Sequence, residues 1–261
     1  MVGSITFRRA AWLCGLLMTS LWLQGCSSRP AMPGPSAAEM KRAALAAATD
    51  SNTWLPALGA GLILATDRDQ AWSDWARRER PVFGSVAAAR RTSDVLLYTS
   101  FGTALVSSLW AAGDGAGSTR LAVQVGAVAA TATATQVIKV GVGRPRPDDS
   151  DTLSFPSGHA SAAFAGATLT QRNLARLELR PTTRALLDAG AVSLATATAW
   201  ARVEAGVHYP SDVLAGAALG NFVAAFVNDA FLREGVLAGS VTRVDVLPLR
   251  GGVVLQLMQR F

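Results

Sequence analysis

A chain of 261 residues, half of them hydrophobic and 16% charged, can bury one sizeable core. Its positive mean hydropathy sets it between an ordinary soluble domain and a polytopic membrane protein. Setting aside Arg8 and Arg9, which fall in a cleavable leader, 22 basic residues face 18 acidic ones, a net charge of +4. No Lys/Arg run is interleaved with aromatics, so a nucleic-acid groove is excluded, and the mild excess suits anionic lipid or phosphate-bearing surfaces.

Residues 1–25 read as an export signal: Met1 to Arg9 is short and basic, and Ala10 to Leu23 is uncharged but too short to span a bilayer comfortably. Leu23-Gln24-Gly25-Cys26, followed by Ser27-Ser28, resembles the lipobox of bacterial lipoproteins, in which the Cys is acylated and becomes the first mature residue; Gln24 is unusual at its position. Cys14 would leave with the signal and Cys26 would carry lipid, so no disulfide framework is expected. Ser27, in place of Asp, favours the outer over the inner membrane of a bacterial envelope. Residues 26–36 form the lipidated tether, because three prolines and a glycine between Arg29 and Ser36 block regular structure.

An amphipathic helix is expected from Ala37 to Ala48, then a thirteen-residue apolar segment from Trp54 to Thr66. Asp67 to Arg80 is charged and holds Trp72 and Trp75, which suits a helix lying at a surface. Long helices follow at Val95–Gly113, Leu121–Ile138, Ser157–Leu177, Thr182–Val203 and Ser211–Leu232. Ala, Leu and Val dominate the apolar content, which favours helices. The expected fold is all-α: an antiparallel bundle of five to six core helices within residues 37–239. Residues 240–261 alternate and turn at Arg250-Gly251-Gly252, which predicts a small C-terminal β-hairpin. Small residues suit a soluble or a membrane bundle equally, and hydropathy alone leaves both open; the reading leans to a membrane-associated bundle.

Three clusters carry the chemistry: Lys139, six residues, Arg146-Pro147; then Pro156-Ser157-Gly158-His159; then Arg202, five residues, His208, three residues, Asp212. A lone histidine is more often structural than catalytic, but here both histidines of the chain, and one of its two lysines, fall inside the clusters. Each cluster also sits where one helix ends or the next begins, and such junctions at one end of an antiparallel bundle can face each other. The helix start at Ser157 and Gly158 would present amide N–H groups to an anion, and Gly158 permits close approach. Arg146 and Arg202 offer planar forks that match phosphate oxygens, with Lys139 as a point charge.

Together, in this order and at these spacings, the clusters resemble the three-part signature of the type-2 phosphatidic acid phosphatase (PAP2) and vanadium haloperoxidase superfamily. The resemblance implies a metal-independent, cofactor-free phosphatase that hydrolyses phosphate monoesters or pyrophosphates of membrane lipids on the periplasmic side. It implies His208 as nucleophile through a phosphohistidine, Asp212 as the group that orients it, His159 as general acid, and Lys139, Arg146, Ser157, Gly158 and Arg202 as phosphate ligands. Ala201 departs from the pattern, which usually has Ser before the third-cluster Arg. Arg144, Asp148, Asp149 and Asp151 read as loop charges flanking the site. The expected partners are a phosphorylated lipid or small phosphomonoester and a membrane, reached through the N-terminal lipid and the apolar helices, with no nucleic acid. The other readings are a periplasmic acid phosphatase on soluble phosphomonoesters, a vanadium haloperoxidase, and a non-catalytic envelope lipoprotein.

Overall fold

A computed structural model describes residues 34–111 and 117–232, and the backbone of 242–249 and 252–259. The signal, Cys26 and most of the tether lie outside the described residues. Eight helices are present among those described: α1 (Ala37–Thr49), α2 (Ser51–Ala65), α3 (Asp69–Glu79), α4 (Val86–Trp110), α5 (Gly117–Val142), α6 (Gly158–Leu174), α7 (Pro181–Glu204) and α8 (Pro210–Leu232). In the tail, the backbone of Thr242–Leu249 (β1) runs antiparallel to Gly252–Gln259 (β2).

Local punctuation sets most helix starts. Ser36 and Glu39 form a capping box for α1, Asp50 caps α2, Ser85 caps α4, Ser157 caps α6, and Pro181 opens α7. One boundary differs clearly from the sequence expectation: α4 begins at Val86 rather than Val95. Its first turns carry Arg90, Arg91 and Asp94, so a search for an apolar run misses them.

α6 is the central helix, packed by α4, α5, α7 and α8, while α8 also carries α1 and α2. The contact between α6 and α8 is made backbone to backbone. A Cβ on Gly220 would sit 2.1 Å from the Ser161 carbonyl oxygen, and one on Gly216 would sit 2.6 Å from that of Ser157. Only glycine fits at both places, and their four-residue spacing is the small-residue pattern of tightly crossing helices. This close approach lets the Ser157 N–H donate to the Asp212 carbonyl at 2.9 Å, fastening the starts of α6 and α8 together. At the opposite end, the Arg172–Asp229 ion pair and the Gln124–Asn173–Asn228 amides lock α5, α6 and α8 in register.

α5 and α8 are long and apolar enough to cross a membrane. They differ in setting: 61% of the apolar window of α8 is buried in the bundle, against 22% for α5. The outer surface exposes Leu55, Leu58 and Leu62 on α2, Val106 and Leu109 on α4, and Val137 and Val140 on α5. Exposed apolar side chains in such number suit contact with lipid or another apolar partner.

Candidate active site

All eight residues singled out for the site converge on one end of the bundle, where α5 and α7 finish and α6 and α8 start. Lys139, in the last turn of α5, is buried, and its Nζ donates to the carbonyls of Leu153 (2.6 Å) and Ser154 (3.3 Å). Those bonds curl the connection to α6 back over the site. A Cβ on Gly158 would meet Lys139 Cε at 3.8 Å, so the ammonium stem lies against the opening turn of α6.

Arg146 is drawn inward in the same connection, its Nη2 3.7 Å from Asp151 Oδ2. Arg202, in the last turn of α7, donates from Nη1 to Ser93 Oγ at 3.1 Å. The Nε groups of both arginines are buried with no hydrogen-bond partner among the described residues. Buried donors left unpaired are costly in a folded protein, and two that converge on one site mark a place built for an acceptor. Arg202 lies close enough to act electrostatically on both His159 and His208.

His208 is 2% exposed, and its Nδ1 faces Asp212 Oδ2 at 3.6 Å and Ser154 Oγ at 3.5 Å. Burial pushes its pKa down to about 4, helped by the Lys139 and Arg202 cations and opposed by Asp212. The ring is therefore neutral through the physiological range. Asp212 is fully buried: Oδ2 accepts from the Ser154 hydroxyl and from the Tyr209 N–H (2.8 Å), and Oδ1 from Arg144 Nη1 (2.7 Å). His159 Nε2 lies 2.8 Å from Asp94 Oδ1.

Two sequence readings are corrected here. Ser157 does not offer its amide to an anion: that N–H is taken by the Asp212 carbonyl, and its hydroxyl caps the Ala160 N–H at 3.4 Å. The opening amides of α6 that remain begin at Gly158. Arg144 is not a loose loop charge, because it bridges Asp212 and Asp69. Asp148 and Asp151, by contrast, are loop charges, paired with Arg90 and Arg146. Ala201 is fully buried, so a hydroxyl there would need a partner inside the bundle.

Sequence reasoning missed Asp69, Ser93, Asp94 and Ser154. The first three come from α3 and α4 and reach the site only through tertiary packing. Ser154 carried a weak signal, two residues before the second cluster. Beside the site, Trp72, Trp75, Phe164, Trp200 and Leu214 line an apolar cavity of about 730 Å³ that reaches the first turn of α8 at Pro210 and Val213.

Residues 120–234 match the family model of the PAP2 superfamily. The bundle is similar to the crystal structure of a transmembrane PAP2-type phosphatidylglycerolphosphate phosphatase from Bacillus subtilis. The TM-score is 0.53 at 22% sequence identity, covering 68% of this chain and 92% of that one. No curated protein sequence matches the chain.

Proposed function

We propose that this protein is a phosphatase of membrane-lipid phosphates that works through a phosphohistidine on His208. The observation that carries the reading is the pair of buried, unpartnered guanidinium Nε groups of Arg146 and Arg202 beside a neutral imidazole backed by a carboxylate. Asp212 keeps the proton on Nδ1, which leaves the Nε2 lone pair to attack phosphorus. As the P–N bond forms and the P–O ester bond breaks, His159 gives a proton to the departing oxygen. A water then attacks phosphorus, its proton returns to His159, and inorganic phosphate leaves with the P–N bond electrons restored to His208. Arg146, Arg202, Lys139 and the opening amides of α6 stabilise the charge that spreads over the phosphoryl oxygens.

Two features favour a lipid over a soluble ester: the exposed apolar side chains of α2, α4 and α5, and the apolar cavity beside the first turn of α8. Phosphate release should therefore be faster from phosphatidic acid, phosphatidylglycerol phosphate, undecaprenyl pyrophosphate or lipid A phosphates than from a soluble phosphomonoester, with vanadate competing. Faster turnover of the soluble ester would select the acid-phosphatase reading, and indifference of the phosphatase to vanadate would count against this site. The reading places the protein at the bacterial envelope with its site facing the periplasm and a lipid on Cys26. Incorporation of labelled fatty acid should vanish in Cys26→Ala, and persistent labelling would remove the lipoprotein assignment.

A further inference from the structure

Arg144 occupies a position unlike that of the other site cations. Its Nη1 donates to Asp212 Oδ1 at 2.7 Å and to Ser211 Oγ at 2.8 Å, and its Nη2 to Asp69 Oδ2 at 2.8 Å. The guanidinium carbon lies 3.9 Å from the centre of the Tyr209 ring, which holds the fork flat beside the residue that follows His208. Asp69 in turn accepts the Ser211 N–H at 3.0 Å and the Ser211 hydroxyl. A carboxylate from α3 thus caps the start of α8 from outside that helix, and one guanidinium is shared between it and the carboxylate behind His208. Asp69 and Asp212 are 5% and 0% exposed, so solvent screens this chain of charges little. Both ends of the fork are committed to carboxylates, so Arg144 is not placed to bind phosphate.

We propose that Arg144 and Asp69 are positioning residues that set how strongly Asp212 acts on His208; the inference rests on the phosphohistidine reading above. Arg144 withdraws part of the Asp212 charge and keeps His208 neutral and nucleophilic in mildly acidic surroundings. Asp69 offsets part of Arg144, so the two residues oppose each other. The other charges facing His208 are Lys139 from α5, Arg202 from α7 and Asp212 from α8 itself.

The test is the acid limb of the pH–kcat profile. Arg144→Gln, which keeps a donor but removes the charge, should move that limb upward by about one pH unit and lower kcat more than it changes KM. Asp69→Asn should leave the limb at or below its wild-type position, because Arg144 then acts on Asp212 alone. A purely structural role would lower activity in both variants without moving the limb in this charge-dependent way. An unmoved limb in Arg144→Gln, or an upward shift in Asp69→Asn, overturns the proposal. A second measurement separates this inference from the proposed function. In a tag-free His159→Ala background His208 is the sole histidine, and NMR titration of its ring should show the same shifts with no substrate present. If the wild-type protein releases no phosphate from any ester, the functional reading fails while the titration still decides the charge relay. Asp69→Asn, the nearly isosteric change, carries its own arm if Arg144→Gln does not fold.

Discussion

His208→Ala should abolish phosphate release from every substrate, a loss on the order of 10⁴-fold or more. Among the described residues no second imidazole or thiol is placed to replace His208. The second histidine, His159, is engaged with Asp94, and no cysteine lies among the described residues. Asp212→Asn should cost less, because the nucleophile survives while its tautomer and aim are lost. Brief incubation with a ³²P-labelled substrate should leave acid-labile label on the wild-type protein, less on His159→Ala, whose first step lacks its proton donor, and none on His208→Ala. Turnover within tenfold of wild type in His208→Ala would remove the nucleophile from the mechanism.

The second large effect is expected at Arg202. Arg202→Ala should lower kcat by roughly 10³-fold, about 4 kcal/mol of transition-state stabilisation. The side chain is anchored by Ser93 through Nη1 and leaves a buried Nε unpaired, so its fork is oriented before substrate arrives and little is lost in reorganisation. Arg202→Lys should recover only a small part, since a point charge cannot present two parallel N–H groups to phosphoryl oxygens. Losing this cation should also make His208 easier to protonate, because Arg202 is one of the charges that hold its pKa down. The acid limb should therefore rise as kcat falls. Full activity in Arg202→Ala, or a fall in thermal stability with unchanged kcat, would show that the residue only packs α7 against α4.

The alternating long helices, and the placing of Lys139, Ser157, Arg202 and Asp212 at their junctions, were legible before any coordinates. Helix ends are set by short-range chemistry, such as the Ser157 cap, Pro181 at the start of α7 and Pro210 at the start of α8. Motif spacing in the chain survives folding because each cluster lies within one junction. The polar first turns of α4 escaped the reading, since apolar periodicity reports only helix faces that are buried.

Tertiary packing alone decided the rest of the site. Asp69 meets Ser211 from 142 positions away, and Asp94 meets His159 from 65 away; no local pattern announces either pairing. Arg144 looks like Arg146 in the chain, each followed by proline, yet one bridges the buried Asp69 and Asp212 while the other pairs with Asp151 of its own loop and keeps a buried Nε without a partner. The difference follows from the approach of α6 to α8 across Gly216 and Gly220 and the docking of α3 on the start of α8. Composition marks those glycines as small, but only the packed backbones make them indispensable.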